Sequence, residues 1–402
     1  MATKGIREYD AKRLLSKYIT DYSCRIVLVD SNTDFDKLLS DNPWLADTKL
    51  VCKPDQLIGK KCKHNLVLLN ADYGEVVKFI NENMGRNVIL CEIGGKLTHF
   101  IIEPHIPHNE EYYVAIRSFR DKDVIYYSPK GGINIEEDWS MVKQFDIPVL
   151  CSINDIKLPG DEKVQKFVKE LYKCFVENHI NYLEINPFAF SGSKGMPLGA
   201  VLKVDSTAEF ECSWGFDFPV EFGRMVSKEE EFINELDSRS GASLKLTLLR
   251  PHGKIWTMVA GGGASVIYAD TICDLGYTTE LANYGEYSGN PTDEETYLYA
   301  KTILDSMLRR NGKVLLIGGG IANFTDVAKT FNGIIKALTE YAAEIKNKNV
   351  KIFVRRGGPN YKLGLENMKK AGEKLGLDIK LFGPDMHMTR IVQLALKELE
   401  NV

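Results

Sequence analysis

The sequence predicts an α/β protein in two parts, a mixed α+β region followed by a doubly wound, mainly parallel sheet. Three observations carry this. From residue 253 onward, apolar strands alternate regularly with amphipathic helices, the pattern of successive βαβ units. The strands there run out into GGGAS, GGGIANFT, RRGGPN and GPDMHMT, three of them glycine-rich loops of the kind that collect ligands at the carboxyl ends of parallel strands. Ahead of this region, strands fall at hairpin spacing, which makes antiparallel sheet.

A chain of 402 residues, 44% hydrophobic and 26% charged, has room for two or three domains with proper cores. Its net charge of −4 supplies no field for nucleic acid or anionic lipid, so any phosphate must be held by local groups. Eight cysteines, at 24, 52, 62, 91, 151, 174, 212 and 273, include no C-x-x-C pair, and MATKGIREYD has no apolar leader core. No apolar run is long enough to span a bilayer. Together these features imply reduced thiols in a cytoplasmic protein whose partners are small molecules and proteins, with no role for nucleic acid or membrane.

In the first part, EYDAKRLLSKYI within residues 7–19 is an amphipathic helix, CRIVLVD a strand, and DFDKLLSDNPWL a helix broken at Pro43. A short strand then ends at Lys53, before the cationic turn Gly59-Lys60-Lys61-Cys62-Lys63. Ammonium groups crowded beside a glycine suit the phosphates of a nucleotide, although any one of these lysines could equally be a solvated loop residue. After a helix over 73–83, THFIIEPHIPHNEEYYVAIRSF reads as two strands joined by a Pro- and His-rich turn, with VIYYSPK a third strand of the same antiparallel sheet. His99, His105 and His108 lack metal-ligand spacing and read as solvated turn residues.

A helix over 163–178 leads into NYLEINPFAF, and the chain returns through SGSKGMP as LGAVLKVDSTAEF. Pairing these strands antiparallel is expected to bring Glu184 and Asn186 near Asp205, oxygen ligands of the kind Mg²⁺ takes alongside phosphate and water. A hairpin with polar residues on its solvated face is the alternative. The aromatic, Gly- and Pro-containing WGFDFPVEFGR marks the connection, so the domains are read as 1–215 and 251–402 with a linker over 216–250. Inside that linker, KEEEFINELDSRSGASLKLTLL holds an acidic helix and a Ser/Gly-rich turn before a strand.

In the second part the strands are GKIWTMVA, 313–320, 350–354 and 378–382, and the helices include 325–342, 361–375 and 388–399. IWTMVAGGGASVIYADTICDL, residues 255–275, is a buried strand, a turn of three glycines and a helix. Glycines let the backbone approach a ligand, and the helix start offers unpaired N–H groups with the positive end of the dipole, which makes an anion site. A second glycine loop and Arg355-Arg356 at the same edge turn that turn into a crevice. A Rossmann dinucleotide site is disfavoured, because no G-x-G-x-x-G follows a strand with an acid about 20 residues on.

A nucleotide site ahead of a carboxylate or phosphate site suggests that a nucleotide activates a carboxylic acid as an acyl phosphate. A histidine could relay the phosphoryl group. His387, in GPDMHMT, has no glycine-rich anion loop after it, so the relay histidine is expected on another chain and no catalytic residue is assigned in this one.

KPDQL, IEPHIPHNEEYYV, LEINPF, SGASLKLTLL, IWTMVAGGGASVIYADTICDLG, ELANYGEYSG, GGGIANFTDVAKTFNGII and FVRRGGPNY resemble the ATP-grasp and citrate-binding part of the ATP-citrate lyase family, which is itself similar to the β subunit of succinyl-CoA synthetase. The similarity runs over nearly the whole chain and implies an ATP-grasp domain followed by a flavodoxin- or Rossmann-like citrate-binding domain of CoA-ligase type. It implies that Lys53 and Lys61, with Cys62 beside them, hold ATP phosphates, that the backbone of Pro104 and Ile106 meets the adenine, and that Glu111 meets the ribose. Asn186 and Asp205 match magnesium ligands, and Asp237, Ser240 and Ala242 a second metal position. Citrate is assigned to Gly289, Asn323, Phe324, Thr325, Tyr341 and Arg356, and the phosphate-receiving loop to Gly261, Gly262, Gly263, Ala264 and Ser265. The chain departs from the family's R-G-K turn by carrying Cys62 in place of glycine, which bears on how closely the loop wraps the phosphates.

The same resemblance implies a larger partner subunit with the catalytic histidine, the CoA site and a citrate-synthase-like domain. The expected reaction takes ATP, citrate and CoA to ADP, phosphate, acetyl-CoA and oxaloacetate, with Mg²⁺ as the metal. Neighbouring readings are the large subunit of a citryl-CoA synthetase and a succinyl-CoA synthetase β-like ligase. A citrate-sensing regulatory subunit is the reading without catalysis.

Overall fold

A computed structural model describes residues 3–58, 65–90, 93–132, 135 and 139–399. Contacts divide the chain into two compact units, Met1–Met225 and Val226–Val402. The cationic turn 59–63, with Lys61 and Cys62, lies outside the described residues.

The first unit opens with β1 (Thr3–Gly5) and α1 (Glu8–Leu15), then β2 (Val27–Val29), α2 (Phe35–Asp41), α3 (Trp44–Asp47), β3 (Leu50–Pro54), β4 (Leu68–Ala71) and α4 (Tyr73–Asn83). Asp72 and Glu75 form a reciprocal capping box that starts α4, and Pro43 separates α2 from α3 because it cannot donate into a continuing helix. The hairpin β5 (Asn87–Leu90) and β6 (Ile93–Lys96) precedes β7 (Phe100–Pro104). Next come β8 (Tyr112–Ser118), β9 (Lys122–Ser128), β10 (Lys143–Pro148), α5 (Glu162–Glu177), β11 (Ile180–Ser191), β12 (Lys194–Pro197), β13 (Ala200–Asp205) and the short α6 (Glu209–Cys212).

These strands form two main sheets. One runs β2-β7-β3-β4, and the other β1-β13-β11-β8-β9-β10 with β12 beside β11. The expected hairpin of FIIEP with YYVAIRS is therefore not made. β7 pairs with β2 and β3, while β8 pairs with β9 and β11. The Pro- and His-rich segment 105–111 joins two sheets instead of turning within one. Each sheet has its own core: Leu50, Phe100, Ile102 and Ile80 around the first, and Ile116, Leu183, Leu202, Phe167 and Leu171 between the second and α5.

The second unit contains α7 (Lys228–Arg239), β14 (Ser243–Leu248), β15 (Ile255–Ala260), α8 (Gly262–Asp274), β16 (Asn283–Ser288), α9 (Asp293–Arg309), β17 (Val314–Gly319), α10 (Val327–Glu340), α11 (Ala342–Asn347), β18 (Lys351–Arg355), α12 (Tyr361–Leu375), β19 (Ile379–Phe382) and α13 (Arg390–Leu399). Residues 228–248, placed by sequence in the linker, thus form a helix and a strand of this unit. Ile233, Leu244 and Leu246 sit in its core, and β14 pairs with β16. Alternation of leucines along SLKLTL already had the period of a half-buried strand.

The sheet β15-β17-β18-β19 is parallel, as its near-continuous apolar strands require when both faces are covered. α9, α10 and α12 pack on one face through Tyr299, Ile303, Phe331 and Met368, and α8 and α13 on the other through Tyr268, Ile272, Ile391 and Val392. The chain leaves β15 for one face and its neighbour β17 for the other, and that divergence opens a crevice outside their carboxyl ends. Among the described residues no helix is long and apolar enough to cross a membrane.

Candidate functional site

In the first unit, Lys53 follows buried Cys52 near the end of β3 and is itself buried. Its Nζ lies 2.7 Å from Glu8 Oε1, 2.9 Å from Glu103 Oε1 and 2.7 Å from the Leu198 carbonyl. Burial alone would pull this ammonium down, but the charges of Glu103 and Glu8 outweigh it and hold Lys53 above the ordinary lysine range. Lys12, from α1, meets the same three groups: Glu103 Oε2 at 2.6 Å, the Leu198 carbonyl at 2.9 Å and Glu8 Oε1 at 3.2 Å. The helix carrying Lys12 is fixed by Asp55, whose carboxylate accepts the N–H groups of Glu8 at 2.8 Å and Tyr9 at 3.1 Å. An acid from the KPDQL segment thus caps a helix that starts 47 residues earlier, where the cap position is Arg7, whose side chain makes no capping bond and donates instead to the Asp55 carbonyl at 2.6 Å.

Leu198 leads to Asn186 through the ladder, where the Asn186 N–H donates to the Gly199 carbonyl at 3.0 Å. The Asn186 side chain accepts the Gly132 N–H at 2.8 Å. Gly132 has φ +87, and a Cβ there would stand 2.2 Å from Glu111 Oε2, so only glycine lets this turn lie against the Glu111 carboxylate. His108 joins in, with Nε2 3.1 Å from Glu111 and Nδ1 2.6 Å from the Ile106 carbonyl. Lys53, Ile106, Glu111 and Asn186 are therefore brought to one locality, with Pro104 at the end of β7 where segment 105–111 begins.

Asp205 is not brought there. β11 and β13 pair Ile185 with Ala200 and Ile180 with Val204, so Gly199 stands opposite Asn186 and Asp205 lies beside His179 at the far end of the strand. Six residues of strand separate Gly199 from Asp205, roughly 20 Å. Asp205 instead caps the following 3₁₀ turn by accepting from Thr207. The expected antiparallel pairing is present, but its register decides the neighbours. Glu184, two residues before Asn186 on the same strand face, takes a hydrogen bond from the Tyr182 hydroxyl. Glu184 and Asn186 form a small oxygen set that a magnesium ion could use together with phosphates and water.

In the second unit, α8 begins at Gly262 after Gly261, whose φ of +103 favours glycine. Ser265 is buried and donates to the Gly285 carbonyl at 2.6 Å and the Gly261 carbonyl at 3.1 Å, which ties the loop to β16. The Glu286 carboxylate faces this helix start: a Cβ on Gly262 would be 3.3 Å from it. It accepts from the hydroxyls of Ser243 at 2.9 Å and Ser288 at 3.0 Å. The loop 261–265 therefore faces an acid of β16 that sequence reasoning missed, although ELANYGEYSG contains it.

The two arginines after β18 differ in kind. Arg355 is spent on the carbonyls of Met386 at 3.0 Å, Gly319 at 2.9 Å and Pro384 at 3.1 Å, so it pins loops together and is no ligand group. Arg356 is 1% exposed, donates a long 3.4 Å bond to the Gly320 carbonyl, and among the described residues its buried Nε has no partner. Tyr287 Oη is likewise buried and unpaired among the described residues, and the Arg356 charge opposes the rise that burial imposes on this phenol. Buried donors left unmatched are costly, and a carboxylate is the acceptor that answers a guanidinium best.

Asn323, Phe324 and Thr325 lie in the loop after β17, directly above Arg356's partner Gly320 and before Asp326, the cap of α10. Gly289 abuts Ala242, and neighbouring Asn290 accepts the Asp326 N–H at 3.4 Å. Gly289, Asn323, Phe324, Thr325 and Arg356 are thus gathered at the carboxyl edge of the sheet. Tyr341 is not: it follows the 14 residues of α10, about 20 Å along the helix from Thr325, beside Asp305 of α9. Asp237, in the last turn of α7, does lie close to Ser240 and Ala242 of the turn that follows, where the Ala242 N–H donates to Ser240 Oγ at 2.9 Å. Asp237 already accepts the Leu244 N–H and pairs with Lys245, so a metal ion there would compete with that ammonium. Among the described residues no group of three His, Cys, Asp or Glu side chains could hold a metal ion.

Comparison with known proteins gives the same division of the chain. The family described as the ATP-citrate synthase ATP-grasp domain matches residues 2–215, and that described as ATP citrate lyase citrate-binding matches residues 224–398. ATP-citrate synthase alpha chain protein 2 of Arabidopsis thaliana is 45% identical over 417 residues, with 99% of each chain covered. Human ATP-citrate synthase is 44% identical over 419 residues, which cover 98% of this chain and 38% of the human one. Among solved structures, ATP citrate lyase from Methanothrix soehngenii in complex with citrate and coenzyme A is 50% identical, with a TM-score of 0.89 and coverage of 98% of this chain and 100% of that one.

Proposed function

The chain belongs to the ATP-citrate synthase family, also called ATP-citrate lyase, and on that premise we propose that it is the nucleotide- and citrate-binding subunit of that enzyme, acting in the cytoplasm. The reaction takes ATP, citrate and CoA to ADP, phosphate, acetyl-CoA and oxaloacetate. The observation that carries the reading is the pair of separate anion sites in one family-matched chain, a buried lysine site in the first unit and the Arg356 crevice in the second.

The first unit holds ATP. Lys53 meets the phosphates as a point charge, segment 104–106 lines the adenine, and Glu111 meets the ribose. Lys61 and Cys62 belong to the same site in this reading. Glu184 and Asn186 would hold Mg²⁺, which screens phosphate charge when bound. Asp205, at the far end of β13, stands outside that pair and caps the turn that follows.

The second unit holds citrate. Arg356 offers a buried fork to one carboxylate, while Gly289, Asn323, Phe324 and Thr325 supply the loop and helix start for the others. A helix end contributes only about 0.3–1 kcal/mol per charge at exposed sites, so a trianion needs the arginine as well. Gly261 to Ser265 receive the phosphoryl group, brought on a histidine of a larger partner subunit that also carries the CoA site. The phosphoryl phosphorus forms a bond to a citrate carboxylate oxygen as its bond to the histidine nitrogen breaks. Glu286, at the edge of this loop, can accept an N–H from the departing imidazole. Tyr341 and the α7 end with Asp237, Ser240 and Ala242 serve at a distance, the latter through the contact of Ala242 with Gly289.

The test combines the purified chain with its partner subunit, ATP, citrate and CoA, and follows acid-labile phosphohistidine on the partner and acetyl-CoA in solution. Both are expected. Citrate binding with neither product would sink the enzyme reading, and succinyl-CoA formation without citrate turnover would move the chain to a succinate ligase.

A further inference from the structure

We propose that Lys12 is a positioning residue for the nucleotide, standing in for Lys53 within a buried ion network so that Lys53 can turn to the phosphates. The proposal rests on the nucleotide reading of Lys53 and adds to it a residue and a way of working.

An ammonium has three donors. Lys53 spends its three on Glu8 Oε1 at 2.7 Å, Glu103 Oε1 at 2.9 Å and the Leu198 carbonyl at 2.7 Å. Lys12 spends its own on the same residues, at 3.2, 2.6 and 2.9 Å. Two cations and two carboxylates make the set formally neutral. A lone lysine in this setting could not leave, because a buried acid stripped of its partner is strongly unfavourable. The duplicate removes that obstacle: when Lys53 turns away, Glu8, Glu103 and the Leu198 carbonyl each keep a donor in Lys12.

The two lysines are not equivalent. The Lys12 side chain is 0% exposed, whereas that of Lys53 is 9% exposed. Lys12 is anchored on α1, whose first turn is held by Asp55. Lys53 is the member that can reach out, and the carbonyl it holds belongs to Leu198, one residue before Gly199, which faces Asn186. For the fold alone, doubling the cation on one set of acceptors is redundant, since buried ion pairs add little net stability over apolar packing.

The experiment titrates ATP, in the presence of magnesium, into the full chain and three variants, with citrate titrated in parallel and folding checked by circular dichroism. Lys12→Met removes one of the two lysines that these acids share, and ATP affinity is expected to fall about 10-fold or more with citrate affinity unchanged. Removing one of those acids as well, in Lys12→Met with Glu103→Gln, should recover most of that loss. If Lys12→Met does not fold, Glu103→Gln alone decides: a loosened hold on Lys53 raises ATP affinity, and a fall overturns the proposal. Lys53→Met separates the two levels of the argument. If it leaves ATP binding intact, the nucleotide reading itself fails. If it weakens ATP binding while Lys12→Met does not, only the stand-in role is overturned.

Discussion

The two units hold their cations in opposite ways. In the first, Lys53 is neutralised in advance by Glu8 and Glu103, so an incoming anion has to exchange partners with acids already in place. In the second, Arg356 lies under backbone with its Nε unanswered, so an anion adds a partner and displaces none. The difference teaches that a buried positive charge can be kept ready either by pairing it with movable charge or by leaving it short of acceptors. The first arrangement favours a ligand that comes and goes as its charge changes. The second favours tight, geometrically fixed recognition of a carboxylate.

The largest effect expected from that contrast is at Arg356. Arg356→Ala should weaken citrate binding by about 2–4 kcal/mol, roughly 30- to 1,000-fold, with ATP binding unaffected. Parallel calorimetric titrations of the two ligands check it, and equal losses for both would break the distinction between the units. Arg355→Ala sharpens the same point. Because its three bonds go to loop carbonyls, it should lower thermal stability of the second unit more than it changes citrate affinity at a temperature where the unit remains folded.

A smaller effect is expected at Gly318, where an added Cβ would stand 2.4 Å from the Tyr268 ring in the floor of the crevice. Gly318→Ala should destabilise the second unit by about 1–3 kcal/mol through overpacking, whereas Gly320→Ala meets nothing within 4 Å and should leave the melting temperature unchanged. Differential scanning calorimetry distinguishes them. In the first unit, Asp55→Ala removes two accepted N–H groups from the start of α1 and should cost about 1–2 kcal/mol in denaturant unfolding. If Gly318→Ala and Asp55→Ala shift one common transition by equal amounts, the units do not unfold separately.

The smallest expected effect is a pH dependence confined to the first unit. Burial, and then the Asp55 charge, raise Asp10 from 3.8 to about 6. The folded state therefore binds more protons than the unfolded state between about pH 4 and 6, and stability falls as pH rises through that window. Asp10→Asn should abolish this decline and leave the variant more stable at pH 7 by on the order of 1–2 kcal/mol. A variant whose unfolding midpoint tracks the wild type from pH 4 to 7 would rule out Asp10 as the source.

Much of the second unit was legible from sequence, and so was the outline of the first. Helix 73–83 follows from its period and capping box, and the strand-turn-helix of residues 255–274 from an apolar run broken by three glycines, because those signals are local. The glycine loops fell at the crevice for the same reason: in a parallel sheet the order of elements fixes which ends face the ligand. Lys12 and Glu8 left a trace as charges on the buried stripe of α1, shared with Ala11 and Leu15, and that stripe was the signal available for finding them.

By itself, then, the sequence determined the class of each unit, the alternation of the parallel sheet and the family, and it nominated the residues proposed for anion chemistry. Tertiary structure decided which of them meet. It placed β7 and β8 in different sheets, set Gly199 and not Asp205 opposite Asn186, spent Arg355 on carbonyls while leaving Arg356 unmatched, and set Tyr341 a helix length from Thr325. The physical reason is that period, capping and turn chemistry act within a few residues. Strand register and buried charge pairing are instead settled by groups as far apart as Lys12 and Leu198, whose meeting no local pattern records.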